Sequence, residues 1–166
     1  GRKRVVPVDM GVREFSPVYV LRIFRQFGLT DQEIEDLLGG DMNILVTGSN
    51  GFIGKNLIAA LASRPDVHIL PFDSEDTQHD LAGTWLGGLV FHLAGVNRPQ
   101  DVFEFQSGNV GLTAQVCDLL RSQGKATPIV LASSIQAVLD NPYGVSKRQA
   151  EAVLADYAAA SGAPVL

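Results

Sequence analysis

The stretch Met42 to Leu57, MNILVTGSNGFIGKNL, restricts the fold of this chain more than any other. Asn43 to Thr47 form a short apolar, β-rich run of the kind buried in a parallel sheet. Gly48, Gly51 and Gly54 follow at a spacing of three, and Lys55 to Leu61 read as a helix. Strand, glycine-rich turn and helix in this order are the context of a dinucleotide fingerprint. Gly48 allows the tight turn out of the strand, Gly51 lets backbone approach a pyrophosphate, and Gly54 lets the helix pack closely. The helix N-terminus then offers unpaired N–H groups and a partial positive charge to phosphate.

The 166 residues suffice for one domain with a core, and 46% hydrophobic with 19% charged content is globular. A net charge of -5 argues against a nucleic-acid partner. The single cysteine, Cys117, can form no internal disulfide and reads as a buried small hydrophobe. No apolar run approaches the ~20 residues of a membrane span. The basic start Arg2, Lys3, Arg4 is not followed by the apolar core of a signal peptide. The expected compartment is the cytoplasm, with no membrane partner. His68, His79 and His92 lack ligand spacing, so no metal site is expected. His92, inside an apolar run, reads as a hydrogen-bonded core residue.

Residues 1–41 precede the fingerprint and read as a helical hairpin. Ser16 and Pro17 start one helix, Val20, Phe24 and Phe27 give it a face, and Gly28 ends it. Thr30 and Glu33 form a capping-box pattern for a second, closed by Leu37 and Leu38. No chemical role follows for this extension. Residues 42–166 form the dinucleotide-binding domain.

Val67 to Leu70 read as the second strand, ending in Pro71, Phe72 and Asp73. Asp73 stands where an acidic residue can bind the adenosine ribose hydroxyls, and its charge favours NAD by repelling a 2′-phosphate. Thr77 to Gly88 are weakly patterned, an abbreviated connection. Leu89 to Leu93 form the next buried strand, and the small residues Ala94 and Gly95 let a cofactor lie against backbone. Asn109 to Gln123 read as a helix, with Leu112, Val116, Leu119 and Leu120 as its face. Ile129 to Ala132 form a strand with Ser133 and Ser134 at its C-terminal end, where open α/β sheets place their chemistry. Tyr143 to Ala160 form a long helix, and Pro164 to Leu166 begin another strand. This alternation predicts an α/β fold, a Rossmann-like doubly wound parallel sheet, with flavodoxin-like winding as the alternative.

Tyr143-Gly-Val-Ser-Lys147 is the second informative motif. Residues four apart share a helix face, so the Lys147 ammonium can sit near the Tyr143 phenol. A neighbouring cation favours phenolate, which makes a tyrosine a workable general acid or base. Ser134 can hold the substrate oxygen that Tyr143 protonates.

Together, TGSNGFIG, HLAGVNRP, SSIQA and NPYGVSK resemble the extended short-chain dehydrogenase/reductases, the NAD-dependent epimerase/dehydratase family. More narrowly, they resemble nucleotide-sugar reductases of capsule and O-antigen synthesis, the UDP-2-acetamido-2,6-dideoxy-L-talose synthase type. The short distance from Ser134 to Tyr143 is one of the narrow features. The resemblance covers Met42 to Leu166, the N-terminal part of that reductase domain. It implies catalytic roles for Ser134, Tyr143 and Lys147. It implies cofactor contacts from Gly48, Asn50, Gly51, Phe52, Ile53, Gly54, Leu93, Ala94 and Gly95, with Lys147 binding ribose beside Tyr143. It implies a UDP-linked 4-keto-deoxy sugar as substrate and NADP(H) as cofactor, against the NAD(H) that Asp73 favours. A homodimer is compatible with it. The alternatives are an NAD-dependent nucleotide-sugar epimerase or dehydratase, and a non-catalytic dinucleotide-binding regulatory module. The chain stops before the family's substrate-binding lobe, so on its own it is expected to bind dinucleotide weakly and to turn over no sugar.

Overall fold

The computed structural model describes residues 42–76 and 87–166, together with Thr30 and Gln32. The hairpin expected over 1–41 lies outside the described residues apart from those two, as does most of the connection expected over 77–88. In chain order the elements are β1 (Met42–Thr47), α1 (Phe52–Leu61), β2 (Val67–Phe72), β3 (Leu89–His92) and a short α2 (Phe103–Phe105). A π-helical turn (Gln106–Gly111), α3 (Leu112–Ser122), β4 (Ile129–Leu131), a 3-10 turn (Ile135–Val138) and α4 (Pro142–Ser161) complete them.

The four strands are all parallel, in the order β2-β1-β3-β4. Val165 adds an isolated parallel bridge to Ile129, so the chain returns beside β4 as the sequence suggests. The winding changes direction between β1 and β3, and open α/β sheets take ligands at such a switch point. Alternation along the buried strands divides the core in two. Ile44, Val46, Leu89 and Phe91 pack with Leu57, Ala60 and Leu61 of α1 on one face. Leu45 and Val90 pack with Val116, Cys117 and Leu120 of α3 and Leu154 and Tyr157 of α4 on the other. Helices therefore cover both faces, the doubly wound arrangement. Each buried Val, Leu, Ile or Phe among them contributes about 1.5–3 kcal/mol. Tyr157 is buried, and its hydroxyl donates to the Thr127 carbonyl at 2.9 Å, so its polar end is satisfied.

Three boundaries differ from the sequence reading. β2 runs on through Pro71 to Phe72, pairing these with Val46 and Thr47, which carries Asp73 up to the glycine turn. Helical structure begins at Phe103 and not at Asn109, because a π-helical turn bridges α2 and α3. Gly108 and Gly111 disguise that turn in the sequence, since glycine is a poor helix former. Gly108 is required by packing: a Cβ there would meet Val96 Cγ2 at 2.4 Å. α4 starts at Pro142, with Asn141 as its N-cap accepting the Gly144 N–H at 2.7 Å.

Candidate active site

The β1–α1 turn is built on close approaches. Gly48 has φ +70, which side-chain-bearing residues rarely adopt, and a Cβ on it would lie 2.6 Å from Ala94 N. A Cβ on Gly54 would lie 2.3 Å from the Gly48 carbonyl oxygen, so α1 rests directly on the turn. Asn50 and Gly51 are exposed, Phe52 is 46% exposed, and Ile53 is half-buried, which leaves the outer side of the turn open. The backbone N–H of Asn50 donates to Asp73 Oδ2 at 2.7 Å, while Ser74 N–H donates to Oδ1 at 2.8 Å. Asp73 thus lies beside the glycine turn, as expected from its position after β2.

The end of β3 joins this turn to the tyrosine motif. Leu93 N–H donates to the Thr47 carbonyl at 3.2 Å and Ala94 N–H to Thr47 Oγ1 at 3.2 Å. One residue on, a Cβ on Gly95 would lie 2.8 Å from Lys147 Nζ and 2.7 Å from Asn109 Oδ1. Lys147 is buried, and burial holds its ammonium below the usual lysine range. Its Nζ donates to the Ala132 carbonyl at 3.1 Å and has no other hydrogen-bond partner among the described residues. An ammonium has three donors. The unmatched ones, in a cradle that a Cβ would fill, suit the hydroxyl groups of a ribose.

Lys147 Nζ lies 5.9 Å from the centroid of the Tyr143 ring. That ring also packs on Phe105, with centroids 5.6 Å apart and planes tilted by 52°. The Tyr143 hydroxyl has no hydrogen-bond partner among the described residues and is free to meet a ligand. Ser134 Oγ accepts the Gln136 N–H at 3.2 Å and caps the 3-10 turn. No hydrogen bond joins Ser134 to Tyr143 among the described residues. The structure therefore brings Gly48 to Ala94, Asn50 to Asp73, and Lys147 to both Gly95 and Tyr143, and leaves Ser134 bonded within its own turn.

Asn109 is the site residue that the sequence did not disclose. It is buried, and its amide is used on both sides. Oδ1 accepts the Val96 N–H at 2.9 Å, and Nδ2 donates to the Val96 carbonyl at 3.0 Å and to Ser146 Oγ at 2.9 Å. Ser146 in turn donates to the Tyr143 carbonyl at 2.8 Å. The π-helical turn carries Asn109, and such turns are frequent at functional sites. Two glycines flanking an asparagine in an otherwise helical stretch were the available signal.

His92 is buried between two threonines, as the apolar run around it suggests. Ala94 N–H donates to Thr47 Oγ1, whose hydroxyl donates to His92 Nδ1 at 2.7 Å. His92 Nε2 meets Thr113 Oγ1 at 3.0 Å, and that hydroxyl donates to the Asn109 carbonyl at 2.6 Å. The chain of donors assigns neutral imidazole with the proton on Nε2. Burial, helped by the positive charge of Lys147, lowers the His92 pKa from 6.5 to about 4. The unfolded chain then takes up a proton near pH 6.5 that the native state refuses. Stability from this group is present at pH 7 and is lost as pH falls between those two values. The loss between pH 7 and pH 5 should be about 2 kcal/mol. Urea unfolding at the two pH values should show it, and His92→Gln should flatten the slope. An equal slope in both proteins would remove His92 as its source.

The fold and its glycine turn define a Rossmann-like α/β domain. Residues 44–166 match the model of the NAD dependent epimerase/dehydratase family, and the chain belongs to that family. It is 46% identical over 125 residues to the UDP-2-acetamido-2,6-beta-L-arabino-hexul-4-ose reductase of Pseudomonas aeruginosa, covering 75% of this chain and 34% of that protein. Among solved structures it resembles the capsular polysaccharide assembling protein CapF from Staphylococcus aureus, with TM-score 0.64 and 46% identity over 75% of this chain and 34% of that one. It also resembles RMD from Pseudomonas aeruginosa complexed with NADPH, with TM-score 0.60 and 25% identity over 75% of this chain and 52% of that one. The chain spans about a third of the length of the reductase it matches.

Proposed function

We propose that this chain is the cofactor-binding part of an NAD(P)H-dependent reductase acting on a UDP-linked 4-keto-deoxy sugar. The observation that carries the reading is the end of β3. There the glycine turn packs on Ala94 while Lys147 packs on Gly95 one residue later. A redox cofactor bound across this strand end would lie between the phosphate-binding turn and the Tyr143–Lys147 pair. The 46% identity to a hexul-4-ose reductase supports the substrate class. When bound, the nicotinamide supplies hydride to the C4 carbonyl carbon. Gly48, Asn50, Gly51, Phe52, Ile53 and Gly54 hold its phosphates on the turn, with Leu93, Ala94 and Gly95 beneath. Lys147 binds ribose with its unmatched donors and keeps a positive charge near Tyr143. Tyr143 donates the proton that the new alkoxide takes, and Ser134 orients that oxygen.

Coupled assays of NADH and NADPH consumption by the full-length protein with a UDP-4-keto-deoxy sugar test this reading. Net oxidation with formation of the C4 alcohol is expected. Interconversion with no net consumption would instead make the protein an epimerase or dehydratase, which restores its cofactor in each cycle.

Asp73 bears on which dinucleotide is used. Its carboxylate already accepts the Asn50 N–H, so it sits within the turn and carries a fixed negative charge there. A 2′-phosphate beside it would be repelled, and NADH is therefore the expected partner. Asp73→Ala should narrow the preference for NADH over NADPH by about tenfold, the size of ~1.4 kcal/mol. Clear preference for NADPH in the wild type, unchanged by the substitution, would take Asp73 out of the cofactor site.

A further inference from the structure

The connection between Ser134 and Tyr143 is short, and its apolar side chains do little to hold it. Ile135, Val138 and Leu139 are 75%, 82% and 48% exposed, and of its apolar residues only Ala137 is buried. Polar contacts from α4 hold it instead. Arg148 Nη1 donates to the carbonyls of Ala137 at 2.9 Å and Leu139 at 3.4 Å, and Nη2 meets Asp140 Oδ1 at 3.2 Å. Asn141 Nδ2 donates to Gln136 Oε1 at 3.3 Å. The turn lies flat on the first turn of α4, where a Cβ on Gly144 would meet the Gln136 carbonyl at 2.2 Å. Ser134 caps this same turn through the Gln136 N–H.

We infer that Arg148 is a positioning residue, whose guanidinium ties the 3-10 turn to α4 and so fixes the Ser134 hydroxyl relative to Tyr143. The inference rests on the reading of Ser134 as the group that orients the substrate oxygen. Arg148 follows Lys147 directly and so points about 100° away around the helix, toward the turn and away from Gly95. A planar fork with five donors can span two carbonyls and a carboxylate, which a lysine ammonium cannot do from one place. The pair with Asp140 contributes little, since its side chains are 45% and 95% exposed. The carbonyl contacts decide, and Asp140→Asn should leave turnover within about twofold of wild type.

The test is Arg148→Met in the full-length protein, read in two ways. Amide exchange needs no substrate. The Ala137 and Leu139 N–H groups bond to the Ser134 and Gln136 carbonyls at 3.0 and 2.8 Å. They should exchange about tenfold faster or more in the variant, as expected for loss of charge-assisted bonds, while α4 amides around Leu154 keep their protection. Unchanged exchange would overturn the inference. Turnover gives the second reading: kcat should fall about tenfold with KM for the dinucleotide unchanged. In a Ser134→Ala background the same substitution should cost less than about twofold. Equal losses in both backgrounds would show that Arg148 does not act through Ser134. Should Arg148→Met fail to fold, Arg148→Lys should speed the same two amides, and wild-type exchange there would equally overturn the inference. A wild type that reduces no 4-keto sugar would sink the proposed function and leave the exchange result to judge the clamp alone.

Discussion

Tyr143→Phe should lower reduction of a UDP-4-keto-deoxy sugar by about 10²- to 10⁴-fold, the usual contribution of a positioned general acid. The substitution removes little else. The ring remains to pack on Phe105 and to face Lys147. The lost hydroxyl has no partner among the described residues, so no buried donor or acceptor is stranded. Unfolding free energy should therefore stay within about 0.5 kcal/mol of wild type. Dinucleotide titrations by fluorescence should also change little, because the unmatched Lys147 donors persist. Steady-state rates with saturating cofactor separate the outcomes. Turnover within tenfold of wild type would deny Tyr143 the proton, whatever its position beside Lys147.

The second large effect is expected from Gly54→Ala. Its new methyl group would lie 2.3 Å from the Gly48 carbonyl oxygen and 2.8 Å from Ser49 Cα. Both obstacles are backbone, so no side chain can swing aside. Either α1 moves off the turn or the turn changes shape. Overpacking of this kind costs about 1–3 kcal/mol of stability. In the proposed function the turn also holds the phosphates, so dinucleotide affinity should fall by at least about tenfold, equivalent to ~1.4 kcal/mol. Gly111→Ala is the control. Its Cβ would find only the Gln106 carbonyl at an ordinary 3.7 Å, and both stability and affinity should hold. Cofactor affinity in Gly54→Ala equal to that of the control would mean the turn tolerates displacement and does not grip the phosphates.

The glycine turn and the Tyr143–Lys147 pair are legible in the sequence because each is a local device. Three residues of spacing bring Gly48, Gly51 and Gly54 into one turn, and four bring Tyr143 and Lys147 onto one helix face. The strands are legible for a related reason: Ile44 to Val46 and Leu89 to Phe91 are buried on both faces and so read as unbroken apolar runs. His92 is legible as a core residue, but its partners are not. Thr47 lies 45 residues before it and Thr113 lies 21 after it, and only the sheet brings them together. Asn109 is illegible for the same reason, since its bonds to Val96 and Ser146 depend on the packing of separate segments. The π-helical turn that carries it breaks the 3.6-residue period on which helix reading depends. Arg148 is visible only as one more charged residue on a helix until the 3-10 turn beneath it is known.

The bare backbone of Gly95 makes the Lys147 cradle a test of strand alignment. Lys147 and Asn109 both reach it, from α4 and from the π-helical turn, and a methyl group there would force one or both to shift. Ala94 stands on one side of it and Val96 on the other. If β3 slid one residue against β1, a side chain would be driven into the ammonium, and His92 would leave its threonines for the opposite face of the sheet. The misaligned domain would then lack the cradle proposed to seat ribose. A ligand that binds only the aligned form favours it over every slipped competitor in proportion to its concentration. In the proposed function the dinucleotide would thereby proofread sheet register as well as supply reducing equivalents.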